Sequence, residues 1–257
     1  MNVDDRRALA LRVLPLIDLT DLDENSSPQA VAALSARAIT PHGPTAAICI
    51  WPRFVETAKA LLHGTGVRIA TVVNFPHGGT DMDAVLAETE KAIADGADEI
   101  DLVLPYRDFA ANGAVISRQM IKSVKKLCGN KARLKVILET GELADEALIE
   151  AASEVALEEG ADFIKTSTGK VEVNATPEAV RIMLEAIREF RRDAGIKPSG
   201  GIRTLEDAGH YLDLADEVMG KGWTAPETFR FGASRLLDDV LAALNGNGSA
   251  AADSAGY

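Results

Sequence analysis

The chain has 257 residues, 47% hydrophobic and 26% charged, which is enough to build a sizeable core without metals or disulfides and excludes disordered and fibrous classes. A formal net charge of -12 argues against non-specific attraction to nucleic acid or to an anionic membrane, although a local pocket can differ from the global balance. No apolar run reaches the roughly 18 residues of a membrane span, the opening "MNVDDRRALALRVLP" has no leader-like stretch, and Cys49 and Cys128 show no metal spacing, so a cytosolic protein without disulfides is expected.

In chain order, residues 4–13 read as a helix ahead of the first strand. Short apolar or alternating runs then recur at intervals of about 30 residues, the length of one strand plus one crossover helix. They are "VLPLIDL" (13–19), "TAAICI" (45–50), "VRIATVV" (67–73), "EIDLVL" (99–104), "RLKVILE" (133–139), "ADFIKTS" (161–167), "GIKPSGG" (195–201) and "FRFGAS" (229–234). Between them, Ser27 before Pro28 and Thr176 before Pro177 mark helix starts, each a capping oxygen ahead of a proline at the first helical position. Thr204 and Ser234 are placed to cap the last two long helices. Gly96, Gly160 and Gly195 each follow a helical pattern, as expected where a helix ends in a left-handed residue.

Eight strand–helix beats with near-continuous apolar strands predict a parallel sheet covered on both sides, and closure into a (β/α)8 TIM barrel is the simplest topology. An open doubly wound sheet is the rival, weakened by the lack of G-x-G-x-x-G after the first strand. The expected domain spans residues 1–245, an extra N-terminal helix included, and "GNGSAAADSAGY" (246–257) is expected to be a mobile tail.

A barrel's reactive groups come from the carboxyl ends of its strands. The first predicted strand ends in Asp18, the second carries Cys49, the fourth Asp101, the fifth Lys135, the sixth Lys165 and the seventh Lys197. Alternation allows Asp101 and the three lysines to point into the barrel, where a charge is strongly disfavoured unless paired or neutralised. Bringing a lysine from about 10.4 to about 7 means about 4.6 kcal/mol of disfavoured charge, which burial and a neighbouring ammonium can supply. Such a lysine carries a free amine at neutral pH, and a free amine attacks carbonyls to form a Schiff base. Taken singly, a strand-end lysine is more often salt-bridged or snorkelling. Two lysines and an aspartate on the fourth, sixth and seventh strands favour the reactive reading. Cys49, with no histidine placed to activate it, reads as a small buried side chain.

Strands seven and eight of a barrel often frame a phosphate. "SGGIRT" (199–204) and "FGAS" (231–234) stand at those positions, and "TSTGK" (166–170) adds a third glycine turn with Lys170. Glycines alone simply make turns, but three such loops at one mouth favour an anion. "TSTGK" lacks the full P-loop pattern, so nucleotide binding is rejected there. His42, His63, His77 and His210 form no close pair, so no metal site is expected.

These motifs together resemble the deoxyribose-phosphate aldolases of the longer bacterial type, across nearly the whole chain: "DLT" (18–20), "TAAICIWPRF" (45–54), "ATVVNFPHG" (70–78), "ADEIDLVLPY" (97–106), "LKVILETGEL" (134–143), "ADFIKTSTGK" (161–170), "KPSGGIRT" (197–204) and "FRFGAS" (229–234). The resemblance implies a class I aldolase that reversibly splits 2-deoxy-D-ribose 5-phosphate into acetaldehyde and D-glyceraldehyde 3-phosphate without metal or cofactor. It implies Lys165 as the Schiff-base lysine, Asp101 and Lys197 as the proton-transfer pair, and Asp18 and Lys135 as groups that orient them. Cys49 and Thr168 would line the substrate site, and Gly169, Lys170, Gly200, Gly201, Arg203, Gly232 and Ser234 would hold the phosphate. Tyr257 matches the terminal tyrosine of longer members, whose tail reaches the site. Arg235 departs from the pattern, standing where similar members carry a second serine. The implied partners are a phosphosugar and aldehydes, not nucleic acid or membrane, and such enzymes are monomers or homodimers. The rivals are another phosphosugar barrel, of transaldolase or isomerase type, and a non-catalytic phosphosugar sensor.

Overall fold

A computed structural model of the chain describes residues 2–191 and 193–246. Eight parallel strands form one sheet: β1 (Ile17–Asp21), β2 (Ala47–Ile50), β3 (Arg68–Val73), β4 (Glu99–Val103), β5 (Arg133–Ile137), β6 (Phe163–Lys165), β7 (Gly195–Lys197) and β8 (Phe231–Ala233). They pair in sequence from β1 to β7, and β8 pairs with β1. Parallel bridges from Ile196 to Phe229 and from Ser199 to Gly232 bring β7 against β8 and close the circle. The eight predicted beats are therefore a TIM barrel, not an open sheet.

The helices around it are α1 (Val3–Val13), α2 (Pro28–Ala38), α3 (Val55–Leu62), α4 (Met82–Asp95), α5 (Tyr106–Asn112), α6 (Val115–Cys128), α7 (Thr140–Leu143), α8 (Glu146–Glu158), α9 (Pro177–Phe190), α10 (Leu205–Met219) and α11 (Leu236–Leu244). Their packing follows the helical period. In α9, Val180, Met183, Leu184 and Ile187 are buried at the spacing that puts them on one face. Each such side chain contributes about 1.5–3 kcal/mol by leaving water, and truncating Leu184 to Ala would cost about 2–5 kcal/mol. The expected caps on α2, α9 and α10 form: Ser27, Thr176 and Thr204 accept from the amides of Ala30, Ala179 and Asp207. Helix α1 is tied to the barrel's last helices by ion pairs from Arg6 to Asp239 and, at 2.6 Å, from Arg12 to Asp216.

The structure corrects three local expectations. The first strand starts at Ile17, because Pro15 opens a 3-10 turn over Leu14–Leu16; the strand then runs on to Asp21, so Asp18 lies near its beginning. Gly96 and Gly160 have φ of 103° and 92°, as expected of helix ends, but Gly195 belongs to β7. Its reason is space, since a Cβ there would sit 2.3 Å from the Phe163 ring. Ser234 does not cap α11: the helix begins at Leu236 with Arg235 at the cap position, one residue too late for the Ser234 hydroxyl to reach the first free amides. The tail from residue 247, with Tyr257, lies outside the described residues.

Candidate active site

The inward face of the barrel divides into two halves. Along β2 and β3 it is small and apolar: Ala47, Cys49, Ala70 and Val72 form their own cluster with Leu22. Elsewhere it is charged. Asp18 on β1, Glu99 and Asp101 on β4, Lys135 on β5, Lys165 on β6, Lys197 on β7 and Arg230 just before β8 are all buried. Strand alternation explains the placement, because Ile100, Leu134, Ile164 and Ile196, adjacent in sequence, point the other way into the core beneath the helices.

Asp101 is the hub. Its Oδ1 accepts from Lys135 Nζ at 2.8 Å, and its Oδ2 accepts from Lys197 Nζ at 2.8 Å and Lys165 Nζ at 3.1 Å. Cys49 Sγ stands 4.0 Å from the same Oδ2. Lys197 also lies 2.7 Å from Asp18 Oδ2. One layer down, Arg230 donates to Asp18 Oδ1 at 2.6 Å and to Glu99 Oε1 at 2.9 Å, while Lys135 Nζ is 2.5 Å from Glu99 Oε2. The Arg230 guanidinium also lies 5.6 Å from the centre of the Phe163 ring.

These contacts fix the charge states. Three buried carboxylates, Asp18, Glu99 and Asp101, face three buried cations, Lys135, Lys197 and Arg230. Within this ion-paired set, with Glu139 and the part-exposed Arg68 counted outside it, the charges balance when Lys165 is an amine and leave one surplus positive charge when it is an ammonium. A buried surplus charge costs several kcal/mol, so neutrality is favoured at position 165. Burial first, and the Lys197 ammonium second, push the Lys165 amine below its ordinary value against the pull of Asp101. For Lys197, burial acts in the same direction, but Asp101 and Asp18 outweigh it and hold the amine well above its ordinary value. Burial would raise the Asp101 acid, yet Lys135, Lys197 and Lys165 keep it well below the usual carboxylate range. Burial raises the Cys49 thiol, which leaves it protonated and a poor nucleophile.

Lys165 is also the member of this set that reaches open space. It is 3% exposed where Lys135 and Lys197 are 0%, and it lines a cavity of about 600 Å³ at the carboxyl end of the barrel. Thr168, Gly169, Lys170, Gly200, Gly201, Arg203, Gly232 and Ser234 line the same cavity, joined by Arg235. Gly200 and Gly201 have φ of 84° and 81°, a consecutive left-handed pair that side chains at those positions would strain. Lys170 is anchored by donating to the Leu22 carbonyl at 2.9 Å.

A family model described as the DeoC/LacD family aldolase matches residues 12–240. The chain belongs to the DeoC/LacD aldolase family. A curated relative from Agrobacterium fabrum, named deoxyribose-phosphate aldolase, is 57% identical over 100% of this chain and 99% of its own. A 1.8 Å crystal structure from Toxoplasma gondii ME49, of a chain assigned as a deoxyribose-phosphate aldolase, superposes with a TM-score of 0.88 at 27% identity, covering 96% of this chain and 98% of that one. A second, from Coccidioides immitis and assigned likewise, gives a TM-score of 0.79 at 26% identity over 94% and 98%.

Sequence reasoning missed four residues of this DeoC/LacD-family barrel. Glu99 shares the inward face of β4 with Asp101, two residues away, so alternation alone could have found it. Arg230, set between Phe229 and Phe231, is the same kind of anomaly as Lys165 after Phe163 and Ile164. Asn174 lines the cavity, and its Oδ1 has no hydrogen-bond partner among the described residues. Glu139, fully buried at the end of β5, accepts from the backbone and the hydroxyl of Thr168. Nothing in the local sequence signals either of the last two.

Proposed function

We propose that the chain is a class I deoxyribose-phosphate aldolase that reversibly cleaves 2-deoxy-D-ribose 5-phosphate to acetaldehyde and D-glyceraldehyde 3-phosphate through a Schiff base on Lys165, all within the barrel domain of residues 1–245. One observation carries this reading. Lys165 Nζ is a buried amine, held below its ordinary basicity, that opens onto a cavity lined by Lys170, Arg203 and Arg235. The Agrobacterium fabrum relative supports the choice of substrate.

In this mechanism the Lys165 amine attacks C1 of the open-chain sugar and water leaves, giving an iminium. That cation restores the surplus positive charge the buried set disfavours. Electrons of the C2–C3 bond therefore flow readily into it, leaving a neutral enamine. Asp101, ionised and 3.1 Å from Lys165 Nζ, takes the proton of the C3 hydroxyl as glyceraldehyde 3-phosphate departs. Lys197, bonded to Asp101 at 2.8 Å, forms the proton-transfer pair with it and can return a proton along that bond. Protonation at C2 and hydrolysis release acetaldehyde and the free amine. Asp18, Lys135, Glu99 and Arg230 hold the pair in place. Cys49 contributes a small neutral wall next to the acetaldehyde carbons, and the 168–170, 200–203 and 232–235 segments bind the phosphate.

The test is acetaldehyde release from 2-deoxyribose 5-phosphate, followed with an NADH-dependent alcohol dehydrogenase. Release by the native chain and none by Lys165→Ala is expected. No release by a folded native chain would reject the assignment.

A further inference from the structure

Glu139 has a backbone that most side chains avoid. Its φ and ψ are both 59°, in the left-handed region, at a position where glycine would carry no strain. The kink is held on both sides, because Leu138 N donates to the Lys165 carbonyl and Thr140 N to the Thr166 carbonyl, each at 2.9 Å. Its effect is to turn a fully buried carboxylate across to the strand that carries Lys165. There Thr168 N donates to Oε1 at 3.1 Å and Thr168 Oγ1 to Oε2 at 2.5 Å. The Thr168 hydroxyl accepts in turn from Lys170 N at 3.1 Å. Asp18, Glu99 and Asp101 are ion-paired, whereas the Glu139 carboxylate accepts its hydrogen bonds from this one turn and feels the Lys165 charge only at longer range.

We propose that Glu139 is a positioning residue that sets the Thr168–Gly169–Lys170 turn over Lys165 and thereby the grip on the substrate's phosphate. The inference rests on the aldolase reading above and adds a role outside the amine chemistry. Thr168, Gly169 and Lys170 all line the cavity beside Lys165, so the turn's conformation decides where Lys170 and the local amides meet the anion. The retained strain is understandable on this view. A glycine at 139 would relax the backbone and lose the carboxylate that builds the site.

The test compares Glu139→Gly, Glu139→Gln, Thr168→Val and the Glu139→Gly/Thr168→Val double variant on 2-deoxyribose 5-phosphate and on unphosphorylated 2-deoxyribose. Glu139→Gly should lower kcat/KM for the phosphorylated sugar by about tenfold or more, mainly through KM, and leave the slow reaction of the free sugar little changed. Glu139→Gln, which keeps one acceptor oxygen, should lose less. Because Glu139 acts through Thr168, the double variant should lose less than the product of the two single losses. Borohydride trapping of acetaldehyde at Lys165 should persist in Glu139→Gly, since no phosphate takes part. Its failure in the native chain would instead reject the aldolase reading. Equal losses on both sugars in a folded variant, or no loss on either, would overturn the proposal. Should Glu139→Gly fail to fold, Glu139→Gln and Thr168→Val carry the same comparison.

Discussion

Lys165 and Lys197 are register partners on adjacent strands, and both donate to one atom, Asp101 Oδ2. Two unit charges about 4 Å apart repel by about 4 kcal/mol at an effective dielectric of about 20. Lys197 has a second carboxylate, Asp18, at 2.7 Å, whereas among the described residues Lys165 is ion-paired with Asp101 alone, so Lys165 holds its proton less tightly than Lys197 does.

Removing the Lys197 charge should therefore return basicity to Lys165. In Lys197→Met, burial still acts on Lys165 but the neighbouring cation does not. The amine becomes more protonated at neutral pH, and the acid limb of the kcat/KM profile moves to higher pH. A pH–rate profile with an unmoved acid limb would disconnect the two lysines.

Asp101→Asn removes the proposed base while leaving an amide of the same shape. kcat should fall by about 10²- to 10⁴-fold with a much smaller change in KM. Steady-state kinetics with the reverse pattern would make Asp101 a binding residue.

Acid should weaken the fold through the buried carboxylates. Asp18, Glu99 and Asp101 all titrate below their ordinary values of 3.8, 4.5 and 3.8 in the folded chain. The unfolded chain thus binds protons first as pH falls, and the stability these groups contribute is present above those ordinary values and lost below them. Lys165 acts in the same direction in a higher pH window. Its depressed value makes stability rise with pH between that value and the unfolded 10.5. Arg230→Met leaves Asp18 and Glu99 without their shared cation, at a cost of about 3–5 kcal/mol, and should move the acid-unfolding midpoint upward. Urea titrations across pH check both, and an unchanged midpoint would contradict the account.

Arg235 lines the cavity from an exposed position, on the side proposed to bind phosphate, so its effect should be modest and screened by salt. Arg235→Ala should raise KM for 2-deoxyribose 5-phosphate by up to about fivefold at low salt, with free deoxyribose unaffected. A salt-independent effect, or an equal one on both sugars, would place the side chain outside the phosphate site.

Much of this was legible from local pattern. Eight apolar runs separated by capped helices are a property of short windows, and so is the inward phase of Asp101, Lys135, Lys165 and Lys197. The misses have long-range or steric causes. Pro15 turned part of an apolar run into a 3-10 turn, and the start of α11 moved Ser234 from a cap to the cavity rim. Glu99 and Arg230 are open to the same alternation argument as Lys165, but their pairing spans 131 residues, which no local window shows. Glu139 gave no sign because its meaning depends on Thr168, 29 residues on, and on a backbone angle that sequence does not announce for glutamate.

The most direct measurement treats the native protein with acetaldehyde and sodium borohydride and then maps the modified peptide by mass spectrometry. Reduction of the Schiff base should leave an ethyl group on Lys165, with Lys197 and Lys135 unmodified. An unmodified Lys165, or an ethyl group on another lysine, would contradict the assignment of the neutral amine to this position.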